Sequence, residues 1–388
     1  MVRIKMYPAK KGDAFLVSFG ADQDRNILID MGFVDTYQQH IKQDLIDLNN
    51  QGRCIDLLVI THVDQDHIQG AIKFFEENGC TNNIIKVKEV WHNSYRHIQL
   101  DKSSNKLSCD ETEILEEIKL QNQVDFRTGV EGASVKQGST LAALLYKNKV
   151  NWNGSFDNLA VNKDNKNEVS ISDIKLRLIT PSSSNLIDLS TKWVDYLESC
   201  KYKFQLSDDE IFDDAYELFI QHNTVIEYDN LNSSKSEKKI NLTDLLIDNS
   251  KHIDKSETNG SSISFIVEYE KLKLLFLGDA HEGDIYRELS KLANENYELN
   301  FDVVKVSHHG SRNNTSNRFI KLINSKIFLI STCGEKHPDL ETLAKIMTAN
   351  YPKKIITNYE HPKIIDLKRI NASENFKCEF LVDNNIII

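Results

Sequence analysis

The stretch from Ile55 to Gly70 constrains the fold of this chain more than any other. Ile55-Asp56-Leu57-Leu58-Val59-Ile60 is a largely apolar run of strand length, the pattern of a strand buried on both faces. It leads directly into Thr61-His62-Val63-Asp64-Gln65-Asp66-His67-Ile68-Gln69-Gly70, which sets four side chains able to bind a cation within six residues. If the strand continues, the i, i+2 spacing of His62 and Asp64 points both the same way. Asp66 and His67 then sit where the chain turns into the next helix. Such a loop can serve two cations, one held by each pair. Capping a helix needs one carboxylate, not two histidines beside two aspartates.

Two later strand ends complement this loop. Leu274-Leu275-Phe276-Leu277-Gly278-Asp279-Ala280 delivers a carboxylate at the end of a buried strand, and its two oxygens can bridge two cations. Val303-Val304-Lys305-Val306-Ser307-His308-His309-Gly310-Ser311 ends a second strand in adjacent histidines, with Gly310 expected to let the backbone approach a ligand. The donors are imidazoles and carboxylates without a thiolate, a set suited to Zn²⁺ and to harder ions such as Mn²⁺. Two such cations about 3.5–4 Å apart can activate a water for in-line attack on a phosphoryl group.

In order, His-x-Asp-x-Asp-His-Ile-x-Gly, Gly-Asp and Ser-His-His-Gly-Ser-Arg-Asn resemble the metallo-β-lactamase superfamily, in particular the soluble hydrolase domain of ComEC-type DNA-uptake proteins. Gly12-Asp13-Ala14, Leu28-Ile29-Asp30-Met31-Gly32, Asn259-Gly260-Ser261-Ser262 and His337-Pro338 fit the same branch. The likeness covers roughly residues 1–90 and 259–360 and is silent on most of 92–258. It implies His62 and Asp64 on one metal, Asp66 and His67 on the other, Asp279 between them, and His308 completing the second site, with His309 the alternative. Asp13 and Asp30 are implied to orient ligand histidines through their other ring nitrogen. Many relatives carry a further ligand histidine between the first cluster and the bridging aspartate. Here His92, His222 and His252 are poorly placed for it, and the Asn259, Ser261 and Ser262 element stands instead, leaving the first metal's shell incomplete.

The implied fold class is α/β, an αββα two-sheet sandwich. It forms a single unit over 1–388, with its core in about 1–91, 171–181 and 259–388. Two mainly helical and polar insertions are expected at about 92–170 and 182–258, with 230–258 especially poor in apolar residues. Strands are expected at 2–6, 14–19, 26–30, 55–60, 85–91, 174–180, 263–269, 272–277, 303–306, 327–330, 354–357 and 380–382. Helices are expected near 37–49, 70–78, 112–120, 282–293, 317–323 and 340–349, without a monotonous βαβ series.

The net charge of −11 gives no global attraction to a polyanion, which argues against a DNA-coating protein but not against a nuclease whose metals supply positive charge locally. Cys54, Cys80, Cys109, Cys200, Cys333 and Cys378 are scattered as free thiols would be in a reducing compartment. No apolar run approaches the ~18–20 residues of a membrane helix, and a cytoplasmic protein without a membrane partner is expected. Lys305, Arg312 and Arg318 make the stretch around His308 locally basic. Ser311, Arg312, Asn313 and His337 are candidates for holding a phosphate. Asp66, His309 and His337 are the catalytic candidates, His337 as a proton donor to the leaving oxygen. Trp152, Tyr146 and Trp193 offer stacking on bases, with core packing the competing role.

The expected function is a nuclease or phosphodiesterase using two divalent metal ions, Zn or Mn, on nucleic acid. The alternatives are a hydrolase of a small ester, lactone or thioester, and a regulatory protein with a weak metal site that meets a protein partner through the insertion.

Overall fold

The computed structural model describes residues 1–98, 108–125, 140–199, 210–229, 241–248, 253–334 and 336–388. Alternating β-branched and aromatic residues make β1 (Val2–Met6), β2 (Phe15–Phe19) and β3 (Arg25–Ile29) an antiparallel meander. β4 (Leu57–Val59) and β5 (Val90–Trp91) extend it in parallel. Of the strand expected over 85–91, only the last two residues are a strand.

The second sheet runs in chain order: β6 (Glu168–Ile171), β7 (Ile174–Thr180), β8 (Ser264–Tyr269), β9 (Leu272–Phe276), β10 (Asn300–Lys305), β11 (Asn324–Ile330), β12 (Lys353–Thr357) and β13 (Cys378–Val382). β6 to β9 pair antiparallel, whereas β9 to β13 are all parallel. Helices Glu282–Asn294, Asn317–Leu322, Leu340–Met347 and Ile364–Glu374 make the crossovers. This corrects the expectation of no βαβ series: a parallel pair needs a crossover of a dozen or more residues, and the spacing of these strands supplies it. β14 (Asn385–Ile387) returns to β1 and closes the first sheet.

The result is a helix–sheet–sheet–helix sandwich, as the sequence implies. Val17, Leu57, Trp91, Phe265 and Leu329 fill the space between the sheets, where Phe15 meets Phe276 edge-on at 5.9 Å. Leu58 and Phe74 belong to the layer outside the first sheet, Leu289 and Leu343 to that outside the second.

The region expected as a polar insertion holds two long helices, Ser183–Ser199 and Glu210–Asp229. Trp193, Phe212 and Tyr216 are buried and continuous with the outer core of the first sheet. Glu210–Asp229 packs on Cys109–Asp125 and on Leu141–Lys147, and Leu141–Lys147 packs on helix Gln65–Asn78. Trp152 and Trp193 are therefore core residues, while half-exposed Tyr146 lies under the Arg96 guanidinium at 4.4 Å. The described cysteines are free, and Cys200 and His252 fall outside the described residues. Among those residues no helix is long and apolar enough to cross a membrane.

Candidate metal centre

β4, β9 and β10 end on one rim of the sandwich, and their following residues converge there. Asp64, extended at φ −70° and ψ 146°, precedes helix Gln65–Asn78, so Asp66 and His67 occupy its first turn. This helix begins five residues before the expected one. His62 Nε2 lies 3.5 Å from Asp64 Oδ2. The nearest Asp279 oxygen is 3.6 Å from His67 Nε2, 3.3 Å from His309 Nε2 and 3.9 Å from His308 Nε2. His309 Nε2 is also 3.9 Å from Asp66 Oδ2. Donor atoms of Asp13, His67, Asp279 and His309 all lie within 4.8 Å of one another. The structure thus brings together all six expected ligands, and His309 with them.

Seven of their polar atoms make no hydrogen bond. His62 Nε2, Asp64 Oδ1, Asp66 Oδ2, His67 Nε2, Asp279 Oδ1, His308 Nε2 and His309 Nε2 are all buried without a hydrogen-bond partner. Such groups cost roughly 1–3 kcal/mol each when left unmade, so seven in one place call for a ligand. Asp13, Asp30, Asp64, Asp66 and Asp279 are five buried carboxylates, of which Asp13 and Asp279 face the buried Lys305 ammonium. The donor set of imidazoles and carboxylates fits a divalent cation.

The opposite ring nitrogens are held in place. His67 Nδ1 lies 2.8 Å from Asp30 Oδ2, and Asp30 also accepts from the Thr61 amide and hydroxyl, each at 2.8 Å. His62 Nδ1 meets the same hydroxyl at 3.0 Å. His309 Nδ1 donates to the Ser331 carbonyl at 2.9 Å and lies 3.3 Å from Asp13 Oδ1. His308 Nδ1 is 3.1 Å from both Asp254 Oδ2 and Asn314 Oδ1, and 3.4 Å from Asn259 Nδ2. Asp13, Asp30 and Asn259 thus lie beside the Nδ1 atoms of His309, His67 and His308 respectively. Asp13 additionally pairs with Lys305, whose ammonium also donates to the Gly278 carbonyl at 2.9 Å.

The backbone at the histidine pair is unusual. His308 (φ 47°, ψ 54°) and His309 (φ 53°, ψ 22°) are both left-handed, and Gly310 follows at φ 85°. A left-handed conformation costs a non-glycine residue roughly 1–2 kcal/mol, and here it brings adjacent imidazoles to one site. The expectation for Gly310 is corrected: a Cβ there would come within 3.0 Å of the Pro338 side chain, so its close approach is to protein.

Protonation follows the charge. Burial pulls His309 down, but the Asp279 and Asp13 carboxylates outweigh it and raise the ring to about 10. Burial likewise opposes, and Asp30 and Asp279 reverse, the shift at His67, which lies well above its ordinary value. Against its own burial, the surrounding imidazoles hold Asp279 well below the usual carboxylate range. Without cations, protons on the rings supply the positive charge.

The expected phosphate-holding group is different from its reading. Lys305 is buried in its pair with Asp13 rather than facing a substrate. Arg312 pairs with Glu341 at 2.8 Å and Arg318 with Glu282 at 2.6 Å. These partners lie far away in sequence, so the basic stretch is neutralised on folding. Ser311 is buried and accepts from the Asn313 amide at 3.2 Å. Asn313 Oδ1 and His337 Nε2 make no hydrogen bond, and His337 Nδ1 lies 3.4 Å from Asp339 Oδ2. The His337 ring lies 5.1 Å from that of His308, and burial lowers it to about 4, leaving it neutral. Arg312, Asn313, Asp254, Glu282 and Glu341 line a cleft of about 740 Å³ of mixed charge.

His92 is no ligand here: it bonds buried Glu217 at 2.8 Å. His222 lies in helix Glu210–Asp229. Sequence reasoning missed Asp254, Asn314 and Ser331. Asp254 sits in a run of Asp, Asn, Ser and Lys that gives no signal. Lys305 did carry one, a lysine inside an otherwise apolar buried strand.

No curated protein matches the chain. A metallo hydrolase from the hyperthermophilic archaeon Ignicoccus hospitalis KIN4/I, Igni18, is similar over 100% of this chain and 99% of its own, at 11% identity and a TM-score of 0.32. A variant of the CmlA beta-hydroxylase is similar over 99% of this chain and 53% of its own, at 10% identity and a TM-score of 0.37. Residues 8–128, which include Asp13, Asp30 and the whole His62–His67 loop, match the Metallo-beta-lactamase superfamily.

Proposed function

We propose that this chain is a hydrolase dependent on two divalent cations, and that it cuts phosphodiester bonds. The observation that carries the reading is the convergence of seven unpartnered ligand atoms around Asp279 at the sandwich rim. Divalent cations bound there supply Lewis acidity toward a phosphoryl oxygen and lower the pKa of water. The chain's own residues do the rest. Asp30 and Thr61 fix His67 and His62, Ser331 fixes His309, and Asp254 with Asn314 fixes His308, so each ring presents Nε2 inward. Asp279 offers one oxygen toward the imidazoles and keeps the other near Lys305. His337, neutral beside His308, has Nδ1 3.4 Å from Asp339 Oδ2, which favours the proton on Nδ1 and leaves Nε2 to accept a hydrogen bond from a substrate. The phosphodiester as substrate rests on the likeness of the Ser307–Asn313 stretch to DNA-uptake hydrolases.

A second reading, hydrolysis of a small ester, lactone or thioester, is favoured by the ion-paired Arg312 and Arg318, which leave no free guanidinium among these two for a polyanion. A substrate panel separates the two: linear single- and double-stranded DNA, RNA, cyclic nucleotides, a lactone and a thioester, with Mn²⁺ or Zn²⁺. Phosphodiester cleavage that stops with chelator and in Asp66→Ala is expected. Protein that holds metal and opens only the lactone or thioester would overturn the first reading, and less than about one ion per chain would overturn both.

A further inference from the structure

β5 lies parallel to β4 with Trp91 opposite Val59, and the Ile60 amide donates to the Trp91 carbonyl at 2.9 Å. The His92–Tyr95 loop therefore leaves the first sheet beside the loop that carries His62 and Asp64. Helix Glu210–Asp229 of the insertion is tied to this second loop. Asp213 accepts from the Ser94 hydroxyl at 2.7 Å and the Arg96 amide at 3.0 Å, and Glu217 meets His92 Nε2 at 2.8 Å. Asp213, Tyr216 and Glu217 stand at i, i+3 and i+4 of that helix, which places them on one face. Tyr216 is thus turned toward the same rim.

Tyr216 sits there in an aromatic group. Its ring lies 5.6 Å from that of Tyr95 and 5.8 Å from that of Trp193 in helix Ser183–Ser199. This second helix packs on Glu257–Gly260, whose Asn259 lies at His308 Nδ1. The two helices so form one wall that reaches from the Asp64 loop to the support of His308.

The carboxylates of this wall are satisfied, but its aromatic donors are not. Tyr95 Oη, Trp193 Nε1 and Tyr216 Oη are buried and make no hydrogen bond. The Trp193 N–H faces the Tyr95 oxygen without closing a bond, and neither phenol finds an acceptor. Buried polar groups are ordinarily paired, and phenylalanine would fill a core position without leaving a hydroxyl unmade. Burial, then the Glu217 and Asp64 carboxylates, raise Tyr216 well above its ordinary value, so it stays protonated and can only be satisfied by an acceptor. Asp64 Oδ1 also makes no hydrogen bond, so the two do not satisfy each other.

We propose that the helical insertion supplies the donors that hold the substrate, the Tyr216 hydroxyl, with the Tyr95 hydroxyl beside it, meeting an acceptor oxygen of the phosphodiester on the Asp64 side of the metal centre. The inference rests on the phosphodiester reading above. It also answers the ion pairing of Arg312 and Arg318, because neutral hydroxyls take the place of guanidinium groups.

Inorganic phosphate is the probe. It is titrated calorimetrically into full-length, Mn²⁺-loaded wild type, Tyr216→Phe and Tyr95→Phe, with bound metal counted by mass spectrometry and Tm read by circular dichroism. Loss of a hydrogen bond to a charged group should weaken phosphate binding about 10–100-fold in Tyr216→Phe, while bound metal and Tm stay as in wild type. A packing role alone predicts the opposite signature: unchanged phosphate binding with Tm equal or higher, since an unpaired buried hydroxyl is removed. That result in both variants would overturn the inference and leave the phosphodiester reading standing. A wild type that holds Mn²⁺ but no phosphate would overturn both. If Tyr216→Phe does not fold, crystals of wild type grown with Mn²⁺ and phosphate decide the point. A phosphate oxygen bonded to Tyr216 Oη supports the proposal, and a phosphate bonded to neither tyrosine overturns it.

Discussion

Replacing Lys305 by methionine tests how the site balances its charge. The ammonium is buried, contacts Asp13, donates to the Gly278 carbonyl at 2.9 Å and lies 3.6 Å from Asp279. Methionine keeps much of the volume but leaves Asp13 and Asp279 with only the neighbouring imidazoles as positive partners. Removing one partner of a buried pair costs about 3–5 kcal/mol. For a chain of 388 residues, an unfolding entropy near 2.1 cal/mol/K per residue gives about 0.8 kcal/mol/K in all. Lys305→Met should therefore lower Tm by roughly 4–6 °C in cation-free protein, read by calorimetry with chelator present. Saturating Mn²⁺ should shrink the loss, because the bound charge substitutes for part of the ammonium. Adding Asp13→Leu to Lys305→Met should recover stability, since no unpaired carboxylate then remains at that position. A Lys305→Met protein melting within about 1 °C of wild type, or a double variant no better than the single, would refute the reasoning.

Other outcomes follow from the same contacts. Asp30→Asn removes the charge behind His67 and should weaken cation binding about 10–100-fold by calorimetric titration; a change under about twofold would count against Asp30 as an orienting group. Because His309 is raised to about 10, its protonation stabilises the cation-free protein fully below its ordinary pKa, and that stability is lost as pH rises through about 10. Tm in chelator should fall between pH 7 and 10 and should stay flatter with metal bound; a flat cation-free profile would contradict the shift. A Cβ at Gly12 would lie 1.9 Å from the Asp66 carbonyl oxygen, so Gly12→Ala must displace Asp66, and bound metal should drop below that of wild type. Arg318→Ala breaks an exposed pair with Glu282 and should change stability by less than about 1 kcal/mol, checked by urea unfolding.

The rim of the sandwich was legible because it is built from local runs. A buried strand followed by His62, Asp64, Asp66 and His67, another ending in Asp279 and a third in His308 and His309 each announce themselves within ten residues. The strands were legible for the same reason, apart from β6 and β14, which are short and partly polar. Pairings across the chain were not. The glutamates that cancel Arg312 and Arg318, and the Asp254 carboxylate behind His308, come together only when the parallel half and the insertion fold. The helical insertion misled because its apolar residues, such as Trp193 and Tyr216, are spaced on helices among many charges, so average polarity hid a real core.

The left-handed backbone at His308 and His309 sets the site against thermal robustness. Glycine adopts that conformation without steric penalty, so a glycine at either position would relieve backbone strain but would lose a buried ring and the contacts that hold it. At this rim, backbone strain at two adjacent residues is set against the packing and hydrogen bonds of their rings.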